Sequence, residues 1–114
     1  PQLKLPLEYR PAGMEFAESD TLDRVLSEID VLYVTRIQKE RFVSEGEYSK
    51  LKGSYVINSD SMKRLKQTAI VMHPLPRVDE IAPEVDADPR AAYFRQAKNG
   101  LYLRMALLAE ILKK

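Results

Sequence analysis

Apolar positions fall along this chain in two rhythms. Leu22, Val25, Leu26 and Ile29 recur at helical spacing behind Ser19, Asp20 and Thr21, residue types that cap helix starts, so a helix is predicted there. Residues 31–34 are apolar without a gap and include two β-branched valines, which predicts a strand covered on both faces in a parallel sheet. Residues 45–52 read as a short helix stopping at Gly53, where glycine suits the position just past a helix end. Residues 55–57 read as a strand. Asn58, Ser59 or Asp60 then caps a helix to about residue 67 with Met62 and Leu65 inward, and residues 69–72 form the next buried strand. Upstream, residues 14–17 suggest a short strand, and residues 1–13, with three prolines and a glycine, fit either a short helix or an irregular connector. Alternating strands and helices of this kind predict an α/β fold, part of a doubly wound, mainly parallel sheet.

The last third has a different texture. Asp88-Pro89 predicts a helix start, because aspartate caps and proline is tolerated at the first helical position. Asn99-Gly100 suggests a kink or break. In residues 101–112 only Arg104 and Glu110 are charged. A helix apolar nearly all round is a buried helix, and a 114-residue domain has little room to surround a terminal helix. The expected organisation is therefore an α/β unit at 1–98 and a long C-terminal helix at 99–114 that packs on something outside these residues.

Composition narrows the function classes. Eighteen basic and 17 acidic residues nearly balance, so neither a nucleic-acid footprint nor an electrostatic membrane anchor is indicated. There is no cysteine and one histidine, which excludes disulfides, thiolate nucleophiles and multi-histidine metal sites. No apolar run reaches membrane-spanning length, and no signal-peptide pattern opens the chain. A soluble, cytoplasmic domain without metal or organic cofactor is the expectation.

Two polar loops carry the candidate chemistry. Thr35-Arg36-Ile37-Gln38-Lys39-Glu40-Arg41-Phe42 follows the first buried run, and His73-Pro74-Leu75-Pro76-Arg77-Val78-Asp79-Glu80 follows the later one. In open α/β sheets ligands bind just beyond the carboxyl ends of strands. Arginine offers a planar fork that matches carboxylate or phosphate oxygens. Arg36 and Arg77 together would make a pocket for a small dicarboxylate or phosphate, with Glu40 orienting Arg36 and Gln38 adding a neutral partner. Spacing alone leaves open whether residues 36–41 are such a site or a solvated charged loop. The two prolines of residues 73–76 leave few backbone conformations. A cis Leu75-Pro76 bond would let that loop aim carbonyl oxygens at a ligand, while a rigid turn with no ligand also fits. No nucleophile motif accompanies His73, which favours a histidine that hydrogen-bonds its own loop. Asp79, Glu80, Glu84, Asp86 and Asp88 match no EF-hand spacing, and caps or solvated charges explain them more simply.

These loops closely resemble signatures of the aspartate carbamoyltransferase catalytic chains, a likeness extended by Asp30-Val31-Leu32-Tyr33, Tyr93-Phe94-Arg95-Gln96-Ala97, Asn99-Gly100 and Arg104-Met105-Ala106-Leu107-Leu108. It runs from about residue 20 to the carboxyl end. The resemblance implies the Rossmann-like aspartate-binding domain of the carbamoyltransferase fold, and transfer of the carbamoyl group of carbamoyl phosphate to the amine of L-aspartate in pyrimidine synthesis. It implies that Arg36 and Gln38 bind aspartate and that Glu40 orients Arg36. Leu75 and Pro76 would present backbone carbonyls to carbamoyl phosphate and the amine. Glu47 and Tyr48 would belong to a mobile loop, and Arg41 and Glu80 would be inter-domain contacts.

The family's Ser-Thr-Arg-Thr phosphate loop and a second aspartate-gripping arginine in a Gly-Arg-Thr segment are absent here. The resemblance thus implies the later part of one domain, inactive alone, completed by the carbamoyl-phosphate domain of a chain that forms homotrimers. Ornithine carbamoyltransferases place a cysteine in the loop where Pro74 stands, which disfavours that relative. A non-catalytic folding or assembly module derived from the same fold is the alternative of another class.

Overall fold

The computed structural model describes residues 4–10 and 12–113, apart from the side chains of Leu7 and Arg41. Strands β1 (Val31–Tyr33) and β2 (Ile70–Met72) pair in parallel, with Leu32 beside Val71. Between them lie helices α1 (Glu45–Leu51) and α2 (Ser59–Arg64), and helix α3 (Tyr93–Ile111) closes the described chain. The parallel strands with intervening helices agree with the predicted α/β class.

Local chemistry explains where the helices begin. Before α2, the Asn58 side chain accepts from the backbone N–H groups of Asp60 and Ser61 at 3.0 Å, and the Ser61 hydroxyl accepts from Asn58 N–H, a reciprocal capping box. Met62 and Leu65 point into the core as predicted, each 3% exposed. Before α1, the Ser44 hydroxyl accepts from Glu47 N–H, and Gly53 at φ 70° ends the segment in the left-handed conformation glycine tolerates.

Several expectations are corrected. Residues 22–29 do not form an α-helix. A 3-10 turn at Leu22–Arg24 is followed by irregular turns, and Thr21 makes no side-chain cap. The stretch is too short to repay helix nucleation by itself, and turns suffice to bury Leu26 completely. Residues 14–17 form no strand. The strand expected at 55–57 contracts to one parallel bridge, Ile57 with Ile81. β1 is not covered on both faces: Val31 and Tyr33 are about half exposed while Leu32 packs inward.

Asp88-Pro89 does not start a helix either. Ala91 instead forms a parallel bridge with Val71 at the free edge of β2, where Val71 N–H donates to Arg90 O and Ala92 N–H to Val71 O, each at 2.8 Å. That rung postpones the helix to Tyr93, while the Asp88 carboxylate accepts from Arg90 N–H and its guanidinium. α3 then continues through Asn99-Gly100 without a break, since one interior glycine costs only about 1 kcal/mol.

The core gathers Leu26, Ile57, Val71, Ile81, Val85 and Tyr93 beneath the sheet, all at most 1% exposed. The far half of α3 joins none of it: every residue from 101 to 113 is exposed, Leu103, Leu108 and Ile111 by 58–75%. Among the described residues no helix is long and apolar enough to cross a membrane. Leu26 is the sole fully buried side chain of the irregular 22–29 segment. Leu26→Ala in the full-length chain should therefore cost about 2–5 kcal/mol, read as a lower denaturant midpoint with unchanged slope.

Candidate functional site

Both arginine loops leave the carboxyl ends of the paired strands, as the apolar pattern predicts. After β1 the last ladder bond is Val34 N–H to Met72 O at 2.9 Å, and the chain then passes through Arg36 without regular structure. The Arg36 guanidinium grips Glu40 with both terminal nitrogens, so the predicted orienting pair is formed. Two of the five donors of the fork serve Glu40, and 38% of the side chain is open to solvent. Lys39 pairs with Glu45 at the head of α1, and the Phe42 and Tyr48 rings meet at 5.9 Å, so the loop is fastened to that helix.

Arg36 lines a small cleft, open to solvent, whose wall includes Tyr48, Lys52, Tyr55, Asp79 and Glu80. The Tyr55 hydroxyl donates to the carbonyl of Thr35, directly before Arg36. Of the predicted residues the cleft unites Arg36, Tyr48 and Glu80. Gln38, Leu75 and Pro76 are not in its wall, and Glu47 lies in the first turn of α1. The Arg41 side chain lies outside the described residues.

The second loop is shaped by a buried pair. His73 is 1% exposed and Glu80 4%. The His73 Nδ1 accepts from Leu75 N–H at 2.8 Å, which places the ring proton on Nε2, and Nε2 lies 2.6 Å from Glu80 Oε1. The other Glu80 oxygen accepts from Val78 N–H at 3.1 Å and Asp79 N–H at 3.0 Å. Burial pushes the Glu80 carboxyl up, but the backbone amides and the His73 ring outweigh it and hold it below its ordinary value. Inside this ring of bonds the Leu75-Pro76 peptide is cis, as anticipated, and Leu75 adopts φ 47°. Left-handed backbone is unfavourable for leucine; the His73 ring that accepts the Leu75 amide helps to hold it. His73 is thus the loop's internal brace.

Arg77 departs from the expectation of a two-arginine pocket. Its guanidinium is clamped on Asp86, with a 2.7 Å contact to Oδ2, donates to the Tyr93 hydroxyl at 3.2 Å, and lies 5.6 Å from that ring's centroid. Asp86 is held down at about 2 by Arg77 and Tyr93. Burial and the neighbouring Asp86 push Tyr93 up to about 12. Three of the five residues of the acidic run are spent on specific partners: Glu80 on His73, Asp86 on Arg77, Asp88 on Arg90.

Sequence reading missed Gln96. From α3 it accepts His73 N–H at 2.9 Å and donates to the Tyr33 hydroxyl at 3.2 Å, joining the two strand ends. Only its place inside the Tyr93–Ala97 motif marked it. Lys52 and Tyr55 were also missed, since a lysine before a glycine and a tyrosine in a strand carry no spacing signal.

Comparison with known proteins gives a consistent picture. The family described as aspartate/ornithine carbamoyltransferase, Asp/Orn-binding domain, matches residues 6–111. The aspartate carbamoyltransferase catalytic subunit of Clostridium botulinum (strain Eklund 17B / Type B) is 56% identical over 103 residues, covering 90% of this chain and 34% of that protein. The multifunctional protein CAD of Squalus acanthias is 56% identical over 102 residues, covering 90% of this chain and 4% of its own length. Among solved structures, aspartate transcarbamoylase from Trypanosoma cruzi in complex with N-(phosphonacetyl)-L-aspartic acid aligns with a TM-score of 0.67 at 52% identity, covering 75% of this chain and 27% of that one. The chain spans about a third of the length of the catalytic subunits it matches.

The Arg77–Asp86 clamp carries a pH signature. A carboxyl depressed in the folded state stabilises it fully above the ordinary aspartate value of 3.8, and loses that contribution as pH falls toward about 2. Asp86→Asn should flatten the decline of the melting temperature between those two values. At neutral pH it should lower that temperature by a few degrees, about 1 kcal/mol for a partly exposed charged hydrogen bond. Melting curves across pH, wild type against variant, measure both.

Proposed function

This chain belongs to the aspartate/ornithine carbamoyltransferase family, and from that premise we propose that it is the aspartate-gripping part of an aspartate carbamoyltransferase catalytic chain. The carrying observation is Arg36, held by Glu40 at a strand end and lining the cleft together with Lys52. A guanidinium fixed on one side by a carboxylate presents the planar fork that a dicarboxylic amino acid needs. The named relatives are aspartate enzymes, and the chain holds Pro74 and no cysteine where an ornithine enzyme would place one.

In this reading Arg36 and Gln38 hold the aspartate side chain. Leu75 and Pro76 direct backbone carbonyls at carbamoyl phosphate and the attacking amine. The amine nitrogen bonds to the carbamoyl carbon, the carbon–oxygen bond to phosphate breaks, and the proton lost by the nitrogen ends on the departing phosphate. N-carbamoyl-L-aspartate and phosphate result. The protein contributes position and charge rather than a cofactor. Glu47 and Tyr48 move with α1 as the domains close, and Arg41 serves a contact between domains, whereas the Glu80 carboxylate is engaged within its own loop by His73 and two backbone amides. The apolar half of α3 packs on the carbamoyl-phosphate domain, and the full chain works as a cytoplasmic homotrimer.

Two experiments test this. In the full-length chain, Arg36→Ala should raise the aspartate KM about ten- to a hundred-fold, the size of a lost charge-assisted contact, and leave the carbamoyl-phosphate KM nearly unchanged. Equal losses for both substrates would overturn the assignment. Mixing this chain with a folded fragment that carries the phosphate loop should yield carbamoyl-aspartate; silence from that mixture would favour a non-catalytic assembly module.

A further inference from the structure

We infer that Tyr55 is a positioning residue for aspartate, acting through the backbone of the Arg36 loop; this rests on the role proposed for Arg36. Residues 35–37 lie past the last rung of β1 and before the 3-10 turn at Lys39–Arg41. The Tyr55 hydroxyl, donating to the Thr35 carbonyl, holds the backbone of this span from outside the loop. The Glu40 pair orients the far end of the Arg36 side chain, and Lys39 and Phe42 fasten the later part of the loop to α1. Tyr55 holds the loop at its start, on the backbone directly before Arg36.

Its own anchorage is firm. Tyr55 packs against the core, and two residues on Ile57 is 1% exposed, with its N–H donating to Glu80 O at 2.9 Å and its carbonyl accepting from Ala82 N–H at 2.8 Å. The hydroxyl is therefore a fixed point, referenced to the buried His73–Glu80 loop. It sets Thr35, and with it the origin of the Arg36 side chain. The same tyrosine lines the cleft, so the tether crosses the wall of the site.

Tyr55→Phe removes one oxygen and keeps the ring that packs on the core. In the full-length chain it should raise the aspartate KM about three- to ten-fold, the effect of one neutral hydrogen bond. The carbamoyl-phosphate KM and the melting temperature should stay nearly constant, a split that a merely structural role would not produce. Arg36→Ala assayed in parallel separates the two ideas. If it raises the aspartate KM and Tyr55→Phe does not, the positioning role fails and the Arg36 assignment stands. If Arg36→Ala has no effect on aspartate, both fail. A matched rise in both KM values with a lowered melting temperature also overturns the positioning role.

Discussion

The His73–Glu80 pair is the constraint from which the geometry of the site follows. A carboxylate 4% exposed is costly to bury unless its oxygens are fully engaged. Here one oxygen meets the imidazole and the other takes two successive backbone amides. Those bonds can form together only if residues 73–80 close into a compact loop, and that closure carries Leu75 into its left-handed conformation. The consequences spread outward. The Glu80 carbonyl accepts Ile57 N–H and Ile81 enters the core, so the 55–57 segment is docked by the same loop, and Tyr55 is thereby brought under Thr35. One buried acid–imidazole contact thus positions both strand-end loops, the first indirectly and the second by construction.

Much of this was legible in the sequence, and the boundary between what was and what was not has a physical basis. Features set by local chemistry were read correctly: the Asn58 cap, the Gly53 stop, the paired apolar runs, Glu40 four residues after Arg36, and a cis bond between two closely spaced prolines. Features set by tertiary partners were not. Leu22 to Ile29 has helical spacing, yet turns suffice to bury Leu26 and to pack Leu22 and Ile29 against the core. Asp88-Pro89 has the form of a helix start, yet the edge of β2 needs a hydrogen-bonded neighbour and takes residues 90–92 for it. Arg77 looked like a ligand fork from its position after a strand. Asp86 and Tyr93, nine and 16 residues away, claim it instead. Gln96 bridges over 23 and 63 residues, separations for which periodicity holds no information.

Helix α3 unites the two halves of the story. Its first turns are part of the core, with Tyr93 fully buried and Gln96 bonded to His73 and to Tyr33. Its last turns expose leucine after leucine, a contiguous apolar surface of the kind that calls for a covering partner. Because the helix passes through Gly100 unbroken, the covered and the uncovered parts are one rigid rod. Any surface that packs on residues 101–112 therefore shares a rigid element with the amide that ties β1 to the His73 loop. A shift of that rod along its axis would pull on Gln96, and through it on both strand ends at once. The exposed apolar residues and the Gln96 bonds thus lie on one continuous helix, which makes the far end of α3 structurally contiguous with the strand ends of the site.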